Sequence, residues 1–148
     1  SKMITYLDTS ALVKRYFRES GSMEVRRIFG IDQSIAISMV GYAETLAVFY
    51  RKKREVRIHD KEFSSLVAHF RSEWVALLRV NLTLAVNELV ETLLAEHSLR
   101  GFDAIHLASA VLLRNDSNTD VKFVCADEQL NLAASEEGLS VVNPCTIS

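Results

Sequence analysis

Met3-Ile4-Thr5-Tyr6-Leu7-Asp8-Thr9-Ser10-Ala11-Leu12-Val13 is an apolar run that stops on a carboxylate and turns at once into helical spacing. A short apolar segment followed by Asp-Thr-Ser predicts a buried strand whose end meets a helix N-terminus, which stands Asp8 at the strand's C-terminal edge. The same pattern recurs along the chain. Ser34-Ile35-Ala36-Ile37-Ser38 is a second brief apolar strand with helical spacing resuming at Val40, and residues 121–125 form another, with Asp127 capping a helix to about residue 134. Residues 139–142 close as a last short strand, and residues 79–82 read as a short strand or a connector. Helices are expected over residues 10–17, 23–30, 40–54, 60–78, from an N-cap at Thr83, and over 103–113, whereas residues 114–120 are polar and turn-prone and read as a surface loop. Strands alternating with helices predict an α/β protein with a parallel sheet covered on both faces.

The 148 residues fit one domain, taken as residues 3–148, with Ser1-Lys2 set aside as a remnant preceding Met3. A hydrophobic share of 49% against 24% charged describes a globular chain and excludes a disordered or fibrous one. No stretch is long and apolar enough to span a bilayer and no leader pattern is visible, so the expected location is the cytoplasm. Cys125 and Cys145 have no Cys-x-x-Cys spacing, which argues against a zinc ribbon or a redox motif.

Four acids stand apart from ordinary surface charge. Asp8 and Asp127 each follow an apolar strand, and in open α/β sheets ligands sit at the carboxyl ends of strands. Glu44 is four residues from Val40 and Val48 and beside Ala43 and Ala47, which places it on the helix's apolar stripe; Asp103 has Leu107, Ala110 and Val111 as its partners four, seven and eight residues on. Core-facing carboxylates are rare unless paired or coordinated. Arg100 is the basic residue close in sequence to one of them, so a divalent metal is the expected remedy, and all-oxygen ligands suit Mg²⁺ or Mn²⁺. Each acid also has a structural reading: N-capping for Asp8 and Asp127, an ion pair for Glu44, a dipole-favoured first-turn acid for Asp103.

Net charge is −2, which argues against a generic nucleic-acid binder; with the four acids set aside as metal-neutralised, the remainder becomes +2 and its basic residues are clustered. Arg51, Lys52, Lys53, Arg54 and Arg57 form a basic window after Glu44, either a contact for an RNA backbone or a solvated helix end. Lys14, Arg15 and Arg18 lie nearer the proposed site, Lys14 foremost. His106, on an apolar helix, reads as a packed, hydrogen-bonded core histidine.

Tyr6-Leu7-Asp8-Thr9-Ser10-Ala11-Leu12-Val13-Lys14, Ala43-Glu44, Asp103-Ala104-Ile105-His106-Leu107-Ala108 and Ala126-Asp127-Glu128-Gln129-Leu130 resemble, in order and spacing, the signature of PIN-domain ribonucleases, in particular the VapC-like toxins of toxin–antitoxin pairs. The resemblance implies a three-layer α/β/α sandwich with a mostly parallel five-stranded sheet. It implies Asp8, Glu44, Asp103 and Asp127 as catalytic, metal-binding acids for Mg²⁺ or Mn²⁺, with Ser10 orienting carboxylates or water. It further implies endoribonuclease activity leaving a 5′-phosphate and a 3′-hydroxyl, an antitoxin protein as partner, and a homodimer. Lys14, Arg15, Arg51 and Lys52 are the expected RNA contacts. One departure is Cys125, where the family commonly has Thr or Ser two residues before the last acid, a weaker group for holding Asp127. A rival reading is a catalytically silent PIN-like module that binds protein or RNA.

Overall fold

The structure is a computed structural model that describes residues 3–31 and 34–146, so Ser1-Lys2 and the last two residues of the expected domain lie outside it. In chain order the elements are β1 (Ile4–Leu7), α1 (Thr9–Leu12), α2 (Ser22–Ile31), β2 (Ile35–Ser38), α3 (Val40–Val56), α4 (Asp60–Trp74), β3 (Leu78–Val80), α5 (Leu84–Glu96), α6 (Gly101–Ser117), β4 (Val121–Val124), α7 (Glu128–Glu136) and β5 (Ser140–Val142). Every pairing in the five-stranded sheet is parallel, in the order β3-β2-β1-β4-β5, with Thr5 opposite Ile35 and Tyr6 opposite Phe123. A parallel strand flanked by two others must be covered on both faces, and β1 and β2 are buried at every position.

Alternation along the strands sorts the core into two layers. Ile4, Tyr6, Ala36, Val121 and Phe123 point to one face and pack against Leu93 of α5, Leu107 and Val111 of α6, and Leu130 of α7. Leu7, Ile35, Ile37 and Val124 point to the other, against Leu12, Phe49 of α3, and Phe63, Phe70 and Trp74 of α4. Helices therefore sandwich the sheet, and all five strands end at one edge.

Three element boundaries differ from those the sequence suggests. The first helix yields to a 3₁₀ turn at Val13–Arg15 because Tyr16 and Phe17 turn aside to meet Phe49 edge-on, while Ser22 Oγ ties the Phe17 carbonyl at 2.7 Å. Helix α4 stops at Trp74, and Leu78 joins the exposed edge strand. The polar stretch after Leu113 continues as helix to Ser117, whose hydroxyl bonds back to the Leu113 carbonyl at 2.6 Å; Asn118, at φ 51, supplies the left-handed stop.

Candidate active site

Four separate elements deliver the four acids to one cavity of about 390 Å³ at the C-terminal edge of the sheet. Asp8 comes from the β1–α1 junction, Glu44 from α3, Asp103 from the first turn of α6 and Asp127 from the β4–α7 junction. Ser10 lines the same cavity.

Asp8 and Asp127 are both helix N-caps, as their position after a strand suggests, with Oδ1 of each accepting from Ala11 N and Leu130 N at 3.0 Å. Capping and cavity lining thus coexist. Asp8 is only 4% exposed and also accepts from Ser10 Oγ at 2.7 Å. Burial pushes its carboxyl above the ordinary aspartate range, against the pull of the His106 charge and of the Ser10, Ala11 and Cys125 hydrogen bonds.

Glu44 ends a buried polar relay. The Ser38 N–H donates to the Tyr6 hydroxyl oxygen at 3.0 Å, and that hydroxyl lies 2.8 Å from His106 Nδ1. Burial holds Tyr6 well above the usual phenol value, so the phenol keeps its proton, and on the other side of the imidazole His106 Nε2 lies 2.8 Å from Glu44 Oε1. Thr9 Oγ1 donates to the same oxygen at 2.7 Å. Burial works to raise Glu44, but the His106 hydrogen bond and charge, with Thr9, outweigh it and hold the carboxyl below the usual glutamate range.

Asp103 and Asp127 share a cation from the chain itself: Arg100 Nε donates to Asp103 Oδ2 at 3.2 Å, and its Nη2 lies 3.7 Å from Asp127 Oδ2. The acids share a cavity without closing on a point. Among the described residues, three ligand atoms within 4.8 Å of one another occur at Glu96, His97 and Glu137, and at no three of the four acids. The tight convergence the sequence suggests is therefore loosened, because each carboxylate is held by its own partner. The donor set still suits a hard dication, being carboxylate oxygens beside the hydroxyls of Thr9 and Ser10. The bonds from Ser10 and Ala11 fall on Oδ1 of Asp8 and those from Thr9 and His106 on Oε1 of Glu44, with Cys125 also bonded to the Asp8 carboxyl.

A family model, that of the PIN domain, matches residues 5–134. The chain belongs to the PIN-domain family. Ribonuclease VapC45 of Mycobacterium tuberculosis is 32% identical over 109 residues, covering 73% of this PIN-domain protein and 75% of the relative. Among solved structures, the toxin–antitoxin complex from Klebsiella pneumoniae superposes with a TM-score of 0.67 at 19% identity over 97% of this chain and 99% of that one. VapC20 of Mycobacterium tuberculosis, described as a sarcin-ricin loop cleaving toxin, gives 0.62 at 15% identity over 91% and 95%. At such identities the structural likenesses establish the fold.

The basic residues of the PIN domain divide. Lys14, Arg51 and Lys52 line the cavity; Lys14 is buried, with Nζ 3.2 Å from Glu19 Oε2, and Lys52 Nζ lies 5.0 Å from the centre of the Phe17 ring. Arg15, expected as an RNA contact, is not on the cavity. Its guanidinium is bonded to Glu73 at 3.2 and 2.8 Å and stands over Phe29, since successive residues of a 3₁₀ turn point about 120° apart and Val13 and Lys14 take the cavity side. Lys53 is paired with Asp60 at 2.9 Å.

Glu44 also reaches the cavity by a route other than the expected stripe. Ala43 and Ala47 are exposed and the buried face of α3 is Gly41, Thr45 and Phe49, so Glu44 and Val48 sit on its flank, facing the cavity. Cys125 accepts from Asp127 N through Sγ at 3.3 Å, filling the acceptor part of the expected hydroxyl's role. Its thiol is buried, and burial with the nearby Asp8 charge pushes it far up, whereas Cys145 is exposed. His106 is packed and hydrogen-bonded as its apolar helix suggests. Its partner across 62 residues is a site acid, for which sequence spacing offers no signal; Thr9, next to Asp8 in the motif, was equally silent.

Proposed function

We propose that this PIN-domain protein is a Mg²⁺- or Mn²⁺-dependent endoribonuclease that cuts RNA phosphodiester bonds as the toxin of a toxin–antitoxin pair. The observation that carries the reading is one cavity lined by Asp8, Glu44, Asp103 and Asp127 and rimmed by Lys14, Arg51, Lys52 and Arg100. The relative named a ribonuclease and the PIN family match support it. The chemistry a divalent ion supplies there is charge stabilisation at the scissile phosphate and activation of the attacking water.

The chain's own groups prepare that event. Ser10 and the Ala11 amide fix Asp8, and Thr9 with His106 fixes Glu44 in its ionised form, so both acids present an oxygen without reorganising. Lys14, Arg51 and Lys52 hold the phosphate backbone along the mouth. Glu44, held below the usual glutamate range, is a poor proton acceptor, and Asp103 takes the proton released by the attacking water. An antitoxin covering this mouth and a homodimer are the expected assemblies. No helix among the described residues is long and apolar enough to cross a membrane.

The test is cleavage of a broad RNA panel with 5′-end and 3′-end mapping. EDTA, Asp8→Asn and Asp103→Asn should each abolish cleavage with the fold intact; activity surviving all three refutes the mechanism, and an inactive but folded wild type across the panel favours the silent binding module.

A further inference from the structure

We propose that Arg100 takes the place of a second divalent cation, so that the cavity holds one metal ion, on its Asp8 and Glu44 side, and not two. The inference rests on the metal-dependent reading above and specifies how many ions that reading requires.

The four acids are not used alike. Glu44 receives the Thr9 and His106 bonds on Oε1 alone, and Asp8 the Ser10 and Ala11 bonds on Oδ1, with Cys125 as a further partner of its carboxyl. Among the described residues, no cation of the chain is within salt-bridge reach of either acid except the His106 ring at Glu44. Asp127 is engaged on both: Oδ1 accepts the Leu130 N–H and Oδ2 faces Arg100 at 3.7 Å. Asp103 stands between, with Oδ2 taken by Arg100 at 3.2 Å. In two-metal nucleases the second ion sits about 3.5–4 Å from the first, and an anionic pair on that flank of the cavity is what it would need. Here the pair on that side, Asp103 and Asp127, already straddles a guanidinium.

Chemistry favours the exchange. Arginine stays protonated at any working pH and carries five N–H donors, of which the two acids use few. The Arg100 side chain is 83% exposed, so its remaining donors are open to a substrate phosphate. It also stands between two cavities, the acid-lined one and a neighbouring one of about 380 Å³ reached past Leu99 and Gln129. A phosphate bridging the ion and Arg100 would meet positive charge on both sides, as it does between two metals. Asp127 then works by holding Arg100 and capping α7, acting as a positioning residue.

Titration of the full chain with Mn²⁺, followed by the EPR signal of free ion and by calorimetry, reads the count directly and needs no RNA. Wild type should bind one Mn²⁺ per chain, Arg100→Ala two, and Arg100→Lys one, with circular dichroism confirming the fold of each. Asp127→Asn should keep the single site. Two ions in wild type, an unchanged single site in Arg100→Ala, or loss of the site in Asp127→Asn would overturn the role of Arg100 while leaving metal-dependent cleavage standing. Wild type that binds no Mn²⁺ would sink both this inference and the metal mechanism.

Discussion

Replacing Tyr6 by Phe removes one oxygen and nothing else from the centre of the protein. The ring is fully buried and stacked on Phe123, with centroids 5.5 Å apart and planes 6° from parallel, and Phe keeps that contact. The missing hydroxyl strands two groups, the Ser38 N–H at 3.0 Å and His106 Nδ1 at 2.8 Å. A buried donor or acceptor left without a partner costs about 1–3 kcal/mol, so the pair predicts a loss of about 2–6 kcal/mol. For a chain of this length a loss of about 3 kcal/mol lowers Tm by roughly 6–12 °C. Urea denaturation should show the midpoint moving with an unchanged slope. Because His106 and Tyr6 share one bond, Tyr6→Phe combined with His106→Ala should fall short of the sum of the single losses by about 1 kcal/mol or more. A Tyr6→Phe protein within about 0.5 kcal/mol of wild type would refute the relay as a structural device. Mn²⁺ affinity supplies the functional half, falling as Glu44 loses its oriented partner.

Asp8→Asn should raise the Tm of the metal-free protein at pH 7, since Asn keeps the two bonds to Oδ1 and abolishes a charge that burial disfavours. The folded carboxyl binds its proton more tightly than the unfolded one, so wild type gains stability as pH falls toward the aspartate range, and the gap between the two proteins should narrow there; a gap that widens on acidification contradicts the argument. Gly41→Ala should cost about 1–3 kcal/mol by overpacking, because a Cβ there would stand 2.6 Å from Ile37 Cδ1, and cleavage should drop as α3 and Glu44 are pushed outward; calorimetry and RNA assays check both. Glu73→Gln should cost about 1–2 kcal/mol, since the partly exposed Arg15 fork loses its countercharge and one of its two acceptor oxygens while the Tyr16 hydroxyl keeps the other, without altering Mn²⁺ binding; a changed metal affinity would mean Arg15 reaches the cavity after all.

Much of the architecture was legible because the parallel sheet writes itself as apolar runs, and the acids because Asp8 and Asp127 end two of those runs. What stayed hidden depends on contacts between distant segments. The Tyr6–His106–Glu44 relay joins β1, α6 and α3, and nothing in local spacing couples them. Arg15 misled because a helical reading of residues 10–17 hid the 3₁₀ turn that swings it to Glu73. On α3, alanines at 43 and 47 fit a core stripe by composition, yet Gly41, Thr45 and Phe49 are the residues that pack, since only a glycine fits against Ile37. Arg100 is a near neighbour of Asp103 in the sequence, but its reach to Asp127, 27 positions away, is set by the fold.

The inequality of the two thiols has a practical corollary. A maleimide fluorophore would find Cys145 in the open and pass over Cys125, shielded and firmly protonated, giving single-position labelling without mutagenesis. Cys145 Sγ lies 3.5 Å from the Ser20 carbonyl, next along the chain from Glu19, the partner of Lys14. A dye tethered there would sit one ion pair away from the acid-lined mouth, and the protein would carry a native reporter of what enters it.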